Sequence, residues 1–191
     1  SNEWAGSISD GLRIILNPQI DPISTNNLPS GIRALNTEEL NEYLRQDLHH
    51  FGNRKELTLA INQATANRIL ALKINGENLP DLELILPAVK DSLNSTRVIL
   101  IVEENTELQL LQVALGAGYS AHSHIIELHL HKNSKVNHGF IGLGEGRASC
   151  LAQIAVIQDI DTDYSLTSVQ HGWSLSRIEP QVMQIKGKGN T

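Results

Sequence analysis

Eight histidines are the side chains of this chain best suited to chemistry: His49, His50, His122, His124, His129, His131, His138 and His171. Along an extended strand, residues i and i+2 point to the same side. His122 and His124 therefore share a face, and so do His129 and His131. Neutral imidazoles paired in this way can chelate zinc, copper, nickel or iron. The two pairs are offset by an odd number. In one unbroken strand they face opposite ways and cannot make a single four-histidine site. These four residues are the candidate metal ligands of the sequence. The plainer reading, and the one the pattern favours, is an outward polar row on a half-solvated sheet; a contact with a partner is the third.

Other chemistry-bearing residues have plainer readings. Cys150 lies in the apolar run ASCLAQIAVI and reads as a small buried hydrophobe. No cationic neighbour or helix N-terminus is at hand to form a thiolate. Gly142-Leu143-Gly144-Glu145-Gly146 is followed by a strand pattern rather than a helix, so it reads as a tight turn and not a phosphate cradle. Asp159, Asp161 and Asp163 cluster in one turn without the spacing of a calcium loop. No Gly-x-Ser-x-Gly elbow exists. Trp173, beside Gly172, reads as packing at an edge. No catalytic and no cofactor-binding residue is assigned.

The elements that position these residues are short strands. From Arg97 onward the chain reads as a ladder: 97–102, 107–115, 123–130, 135–143, 148–157, 163–170 and 181–187, separated by polar or Gly-rich turns. Regular short strands of this kind predict an all-β sandwich, a barrel or a stacked β-solenoid. Aromatic residues are only 4%, so Leu and Ile carry the core, as suits stacked aliphatic columns. The ladder has no strict sequence repeat.

Before the ladder the pattern is mixed. Gly11 to Leu16 suits a short strand, and an irregular stretch rich in Pro and Asn follows. Asn36 and Glu39 form a capping-box pattern that opens a helix, with Leu40, Tyr43, Leu44, Leu48 and Phe51 on one face and Gly52 as its stop. A second helix is expected from Arg54 to Asn67. Residues 69–74 and 81–86 suit strands, the latter half-exposed. The composition shifts near residue 95, giving an N-terminal α+β region (1–95) and a stacked-strand region (96–191).

The net charge of −6 and the scattered basic residues give no nucleic-acid footprint. A single cysteine excludes an internal disulfide and suits a reducing, cytoplasmic setting. No apolar run approaches a membrane span. Ser1-Asn2 resembles the scar of a cleaved tag, and Gly187 to Thr191 is a turn sequence, so the chain is expected to be the N-terminal part of a longer protein.

Several stretches, taken in order, resemble one family. They are Leu28-Pro29-Ser30-Gly31-Ile32 before a helix, Arg97 to Asn105 (RVILIVEEN), Gly144-Glu145-Gly146 before a strand, then Gly172, Leu175-Ser176-Arg177 and Gly187-Lys188-Gly189. This order resembles the SufB/SufD family of iron–sulfur cluster assembly proteins, and is most like SufD. A SufB chain would carry extra N-terminal sequence with paired cysteines. The resemblance implies a right-handed parallel β-helix, here truncated, preceded by a small N-terminal region. It implies a non-catalytic scaffold subunit that partners a SufB-like paralogue and a SufC-like ATPase, with neither nucleic acid nor membrane. A transient iron–sulfur cluster is expected only in the full complex, with no cofactor in this part. The family residues proposed to hold that cluster, a Cys on SufB and a His near the end of SufD, lie beyond this chain, so none is carried over. Two rival readings stand beside it: a β-helix carbohydrate-active enzyme and a His-dependent metal-binding protein.

Overall fold

The computed structural model describes residues 11–17, 28–50 (backbone only for 45–50), 62, 64–66 and 69–191. Along the chain these form β1 (Leu12–Ile15), β2 (Ile32–Ala34), α1 (Thr37–His50), β3 (Ile69–Ile74), β4 (Leu82–Leu86) and β5 (Leu93–Val102). Then come β6 (Glu107–Leu115), β7 (Ala121–Leu130), β8 (Lys135–Leu143), β9 (Ser149–Gln158), β10 (Asp163–His171) and β11 (Leu175–Gln184).

From β3 onward the chain alternates between two facing sheets. One has the order β1-β4-β6-β8-β10 and the other β11-β9-β7-β5-β3-β2. Every pairing is parallel except β2 with β3. The result is a parallel β-helix of about 4 turns.

The register is what the sequence hides. Leu82 pairs with Leu110, Leu110 with His138 and His138 with Leu166. Arg97 pairs with Ile125, and Ile125 with Gln153. Each step is 28 residues, as between Thr96 and His124. Because a strand alternates sides at every residue and 28 is even, one parity points inward on every rung. The main core holds only even-numbered residues, among them the column Leu72, Leu100, Leu128 and Val156. Two satellite clusters on the outer faces are built on odd-numbered ones: Ala71, Ile99 and Ile101, and Ile85, Val113 and Leu115. Each fully buried Leu or Ile contributes roughly 1.5–3 kcal/mol of transfer free energy.

The corners differ in chemistry. After β5, β7 and β9 the chain turns at Asn105, Asn133 and Asp161, each in the left-handed region at φ 56 to 58°. Asn and Asp tolerate that conformation better than other side chains. The Asn133 amide donates to Asn105 Oδ1 at 2.8 Å, so this corner stacks as a ladder. Glu107, Lys135 and Asp163 are aligned on successive rungs, with Lys135 Nζ 3.4 Å from Glu107. The opposite corner uses Gly116, Gly144 and the shorter Gly172-Trp173-Ser174. There the step falls to 26 residues, from Ser149 to Leu175.

The expected helix begins where its cap predicts. Glu39 N–H donates to Asn36 Oδ1 and Asn36 N–H donates to Glu39 Oε2, both at 3.0 Å. Leu40, Tyr43 and Leu44 lay α1 over Ile99 and Ile101. The expected inward roles of Leu48 and Phe51, and the stop at Gly52, fall outside the described residues. Of the second expected helix, Asn62, Ala64 and Thr65 are helical and the remainder falls outside them.

Three expectations change. β4 is buried at all five positions rather than half-exposed. Its odd side is covered too: Ile85 joins a satellite cluster and Glu83 accepts a 2.5 Å hydrogen bond from Arg13 Nε. β11 starts at Leu175, not 181, and runs through Pro180. An edge strand tolerates a residue that cannot donate to a ladder. The short β2, read as irregular chain, adds the antiparallel edge. Residue 95, where the composition shifts, lies within β5, and β3 and β4 stand in the same two sheets as the later strands.

Candidate functional site

β7 carries three of the four candidate histidines and separates them. His122 and His124 are even-numbered and point into the helix interior, each 1% exposed. They share a face, but it is the inside of the solenoid rather than an outward polar row. His129, odd-numbered, lies on the outer face beneath α1. There its ring meets Tyr43 edge-on at 4.9 Å. His131 sits just past β7 in the corner. His129 and His131 line one cleft of about 230 Å³ together with Glu42, Tyr43 and Asp159. The side chains of His49 and His50 are not among those described. Among the described residues, no three His, Cys, Asp or Glu side chains converge into a metal-holding group.

Inside the solenoid, His124 belongs to a continuous polar chain. Its Nδ1 is 2.6 Å from Thr96 Oγ1 and its Nε2 is 2.7 Å from Gln112 Nε2. The same Gln112 accepts from His138 Nε2 at 2.7 Å, and His138 Nδ1 is 2.9 Å from the Tyr164 hydroxyl. The Gln112 amide sets the direction. It donates to His124, whose proton then lies on Nδ1 and is given to Thr96. It accepts from His138, whose Nδ1 then accepts from Tyr164. Five residues from both sheets are thus satisfied without water. Burial pushes His124 and His138 down to about 3, with the neighbouring imidazoles His122 and His138 adding to the effect on His124. Burial also drives the Tyr164 hydroxyl upward. Both rings are neutral at ordinary pH and act as hydrogen-bonding groups.

A second interior group gathers at the glycine corner. His122 Nε2 lies 2.7 Å from Leu115 O. The ring faces Trp173 edge-on at 5.9 Å. Its column neighbours are Asn94 on β5 and Cys150 on β9. Burial lowers the His122 pKa and raises the Cys150 thiol to about 12, so Cys150 is the protonated, buried hydrophobe its sequence setting suggests. Trp173 lies across Gly116 and Gly144. A Cβ on Gly116 would strike the indole, and one on Gly144 would come within 2.6 Å of it. That close approach is why these corner positions are glycine.

The remaining candidates do not assemble. Asp159 accepts from the Ile160 N–H at 2.7 Å, Asp161 is an exposed turn residue and Asp163 opens β10. Gln112, Tyr164 and Thr96 carry the polar chain although no motif marks them. The available signal is positional. They stand at even-numbered places where the neighbouring rungs carry apolar or histidine side chains.

The stacked strands are also where the chain resembles known sequences. A family model described as SUF system FeS cluster assembly, SufBD core domain, matches residues 85–191, more than half of the 191-residue chain. The chain belongs to the SufB/SufD family. Its role therefore lies in iron–sulfur cluster assembly by the SUF system. Searches of curated proteins and of solved structures each found no match. The matched SufBD core begins inside β4 and covers every rung from β5 onward. No helix among the described residues is long and apolar enough to cross a membrane.

Proposed function

We propose that this chain is a scaffold subunit of the SUF assembly complex, SufD-like, working in the cytoplasm beside a SufB-like paralogue and a SufC-like ATPase. The observation that carries the reading is the coincidence of the SufBD core match with the stacked rungs. The residues that match the family are those of the two-sheet stack. A stack of this kind offers long, fixed surfaces on which partners can be held. The interior imidazoles of His124 and His138 are neutral and hydrogen-bonded, which suits holding better than turnover. The likeness to SufD over SufB rests on the N-terminal half, in which no paired cysteines stand.

The deciding experiment is a tagged pull-down of the parent protein from its own host, read by mass spectrometry. Recovery of an ATPase together with a sequence-related paralogue is the expected result. A folded, abundant bait that recovers neither overturns the scaffold reading. The purified chain is also expected to hydrolyse no ATP, and measurable turnover counts against a non-catalytic role.

A further inference from the structure

His122 and Cys150 are Cα partners on β7 and β9, so their side chains occupy one inward column on adjacent rungs. Neighbouring strands lie about 4.8 Å apart. Both residues are sealed from solvent, at 1% and 0% exposure. Leu115 O sits 2.7 Å from His122 Nε2. A carbonyl only accepts, so the ring proton lies on Nε2 and Nδ1 carries a lone pair. That Nδ1 is buried and has no hydrogen-bond partner. An imidazole tethered through one nitrogen to a backbone carbonyl, with the other free, is oriented as metal-ligating histidines are.

The number and charge of the ligands select the ion. Only two donors of suitable type stand in this column, a thiol sulfur and an imidazole nitrogen. Zinc takes four ligands in structural sites and three plus water in catalytic ones. A divalent ion on one thiolate would also leave a net positive charge in an apolar interior, which is strongly disfavoured. A soft monovalent ion on one thiolate and one neutral imidazole is neutral overall. Thiolate selects copper(I), and imidazole suits copper.

We infer that Cys150 Sγ and His122 Nδ1 form a two-coordinate site for copper(I). Binding replaces the S–H bond by a copper–sulfur bond, and the proton leaves to solvent. The imidazole lone pair makes the second bond, and no oxidation state changes. Trp173 is the door. It is partly exposed, it packs edge-on against His122, and its Nε1–H makes no hydrogen bond that would pin the indole. The site is independent of the partners proposed above.

The test uses the full, tag-free chain, reduced and titrated anaerobically with copper(I) against a chromophoric copper(I) chelator. One equivalent per chain is expected to resist the chelator. Cys150→Ser is expected to abolish it and His122→Gln, which removes one of the two ligands, to leave copper that the chelator strips, while His131→Gln at the corner leaves it unchanged. Thermal melts establish that each variant is folded. X-ray absorption of the loaded wild-type chain needs no variant and is expected to show one sulfur and one nitrogen neighbour. No copper retained, an equivalent that survives Cys150→Ser, or an all-sulfur shell each overturns the site.

Discussion

The Tyr164 hydroxyl on β10 and His138 on β8 meet at 2.9 Å, with both residues no more than 2% exposed. They end a chain of side-chain hydrogen bonds that passes through Gln112 to His124 and Thr96, tying three consecutive rungs and both sheets together. A buried polar group without a partner costs more than a satisfied one gains. The chain therefore acts as an all-or-none element of the core.

Tyr164→Phe removes the partner of one imidazole nitrogen, and a loss of about 1–3 kcal/mol is expected. Gln112→Leu strands nitrogens on both His124 and His138, and is expected to cost more than Tyr164→Phe. Urea unfolding of the two variants measures the order. Equal stabilities would mean that the chain is not coupled through the amide.

Acid should loosen the fold earlier than carboxylate chemistry alone would. His124 and His138 are held near 3 and His129 near 4, in each case chiefly by burial. The unfolded value is about 6.5. These folded values are depressed, so the unfolded chain binds more protons below pH 6.5 and stability falls as the pH drops from there towards 3–4. His122 acts in the same direction. At pH 5.5 the three residues together remove on the order of 4 kcal/mol relative to neutral pH. Denaturant titrations at pH 7.5 and 5.5 read this directly, and unchanged stability would refute it.

Gly116 has ordinary backbone dihedrals, so Gly116→Ala isolates packing from strain. The new methyl would meet the Trp173 ring and, at 2.7 Å, the Ala148 Cβ. Overpacking of this kind costs about 1–3 kcal/mol. It should also push the indole outward and red-shift its emission, against the constant background of Trp4. Emission that stays put while stability falls would place the clash at Ala148 instead.

Lys135 lies between Glu107 and Asp163 on neighbouring rungs. Lys135→Glu puts three carboxylates in a row. Like charges directly opposite are destabilising in a sheet, but Lys135 and Glu107 are exposed and Asp163 is half-buried, so about 1 kcal/mol or less is expected. The deficit should shrink in high salt. A loss that is insensitive to salt would point to packing of the lysine stem.

Much of the stack could be read from residues alone. β3, β6 and β8 have the bounds that their apolar alternation predicts, and β5, β7, β9 and β10 differ by a few residues at their ends. The parallel two-sheet arrangement was harder to see, because the rungs share a length and a parity but few letters. The column Leu110, His138, Leu166 shows why: a core position accepts imidazole once Gln112 and Tyr164 supply partners. For the same reason His122 and His124 invited an outward reading. Polarity normally marks the solvent side, and only knowledge of the rung length assigns them inward. The pairing of His122 with Cys150 is equally invisible, since the two are 28 positions apart and joined only by register.

The even rung has a consequence for how such a chain can change its length. Two residues added at a corner leave every later side chain on its own side, as the shortened Gly172 corner illustrates by losing two. One residue added inside a strand turns the remainder of that strand inside out, sending aliphatic columns to water and charges to the core. A whole turn can be removed or duplicated without any side chain changing face. Insertions and deletions in this lineage should therefore come in even numbers at the corners or in complete turns, a rule of inheritance written in arithmetic rather than in conserved letters.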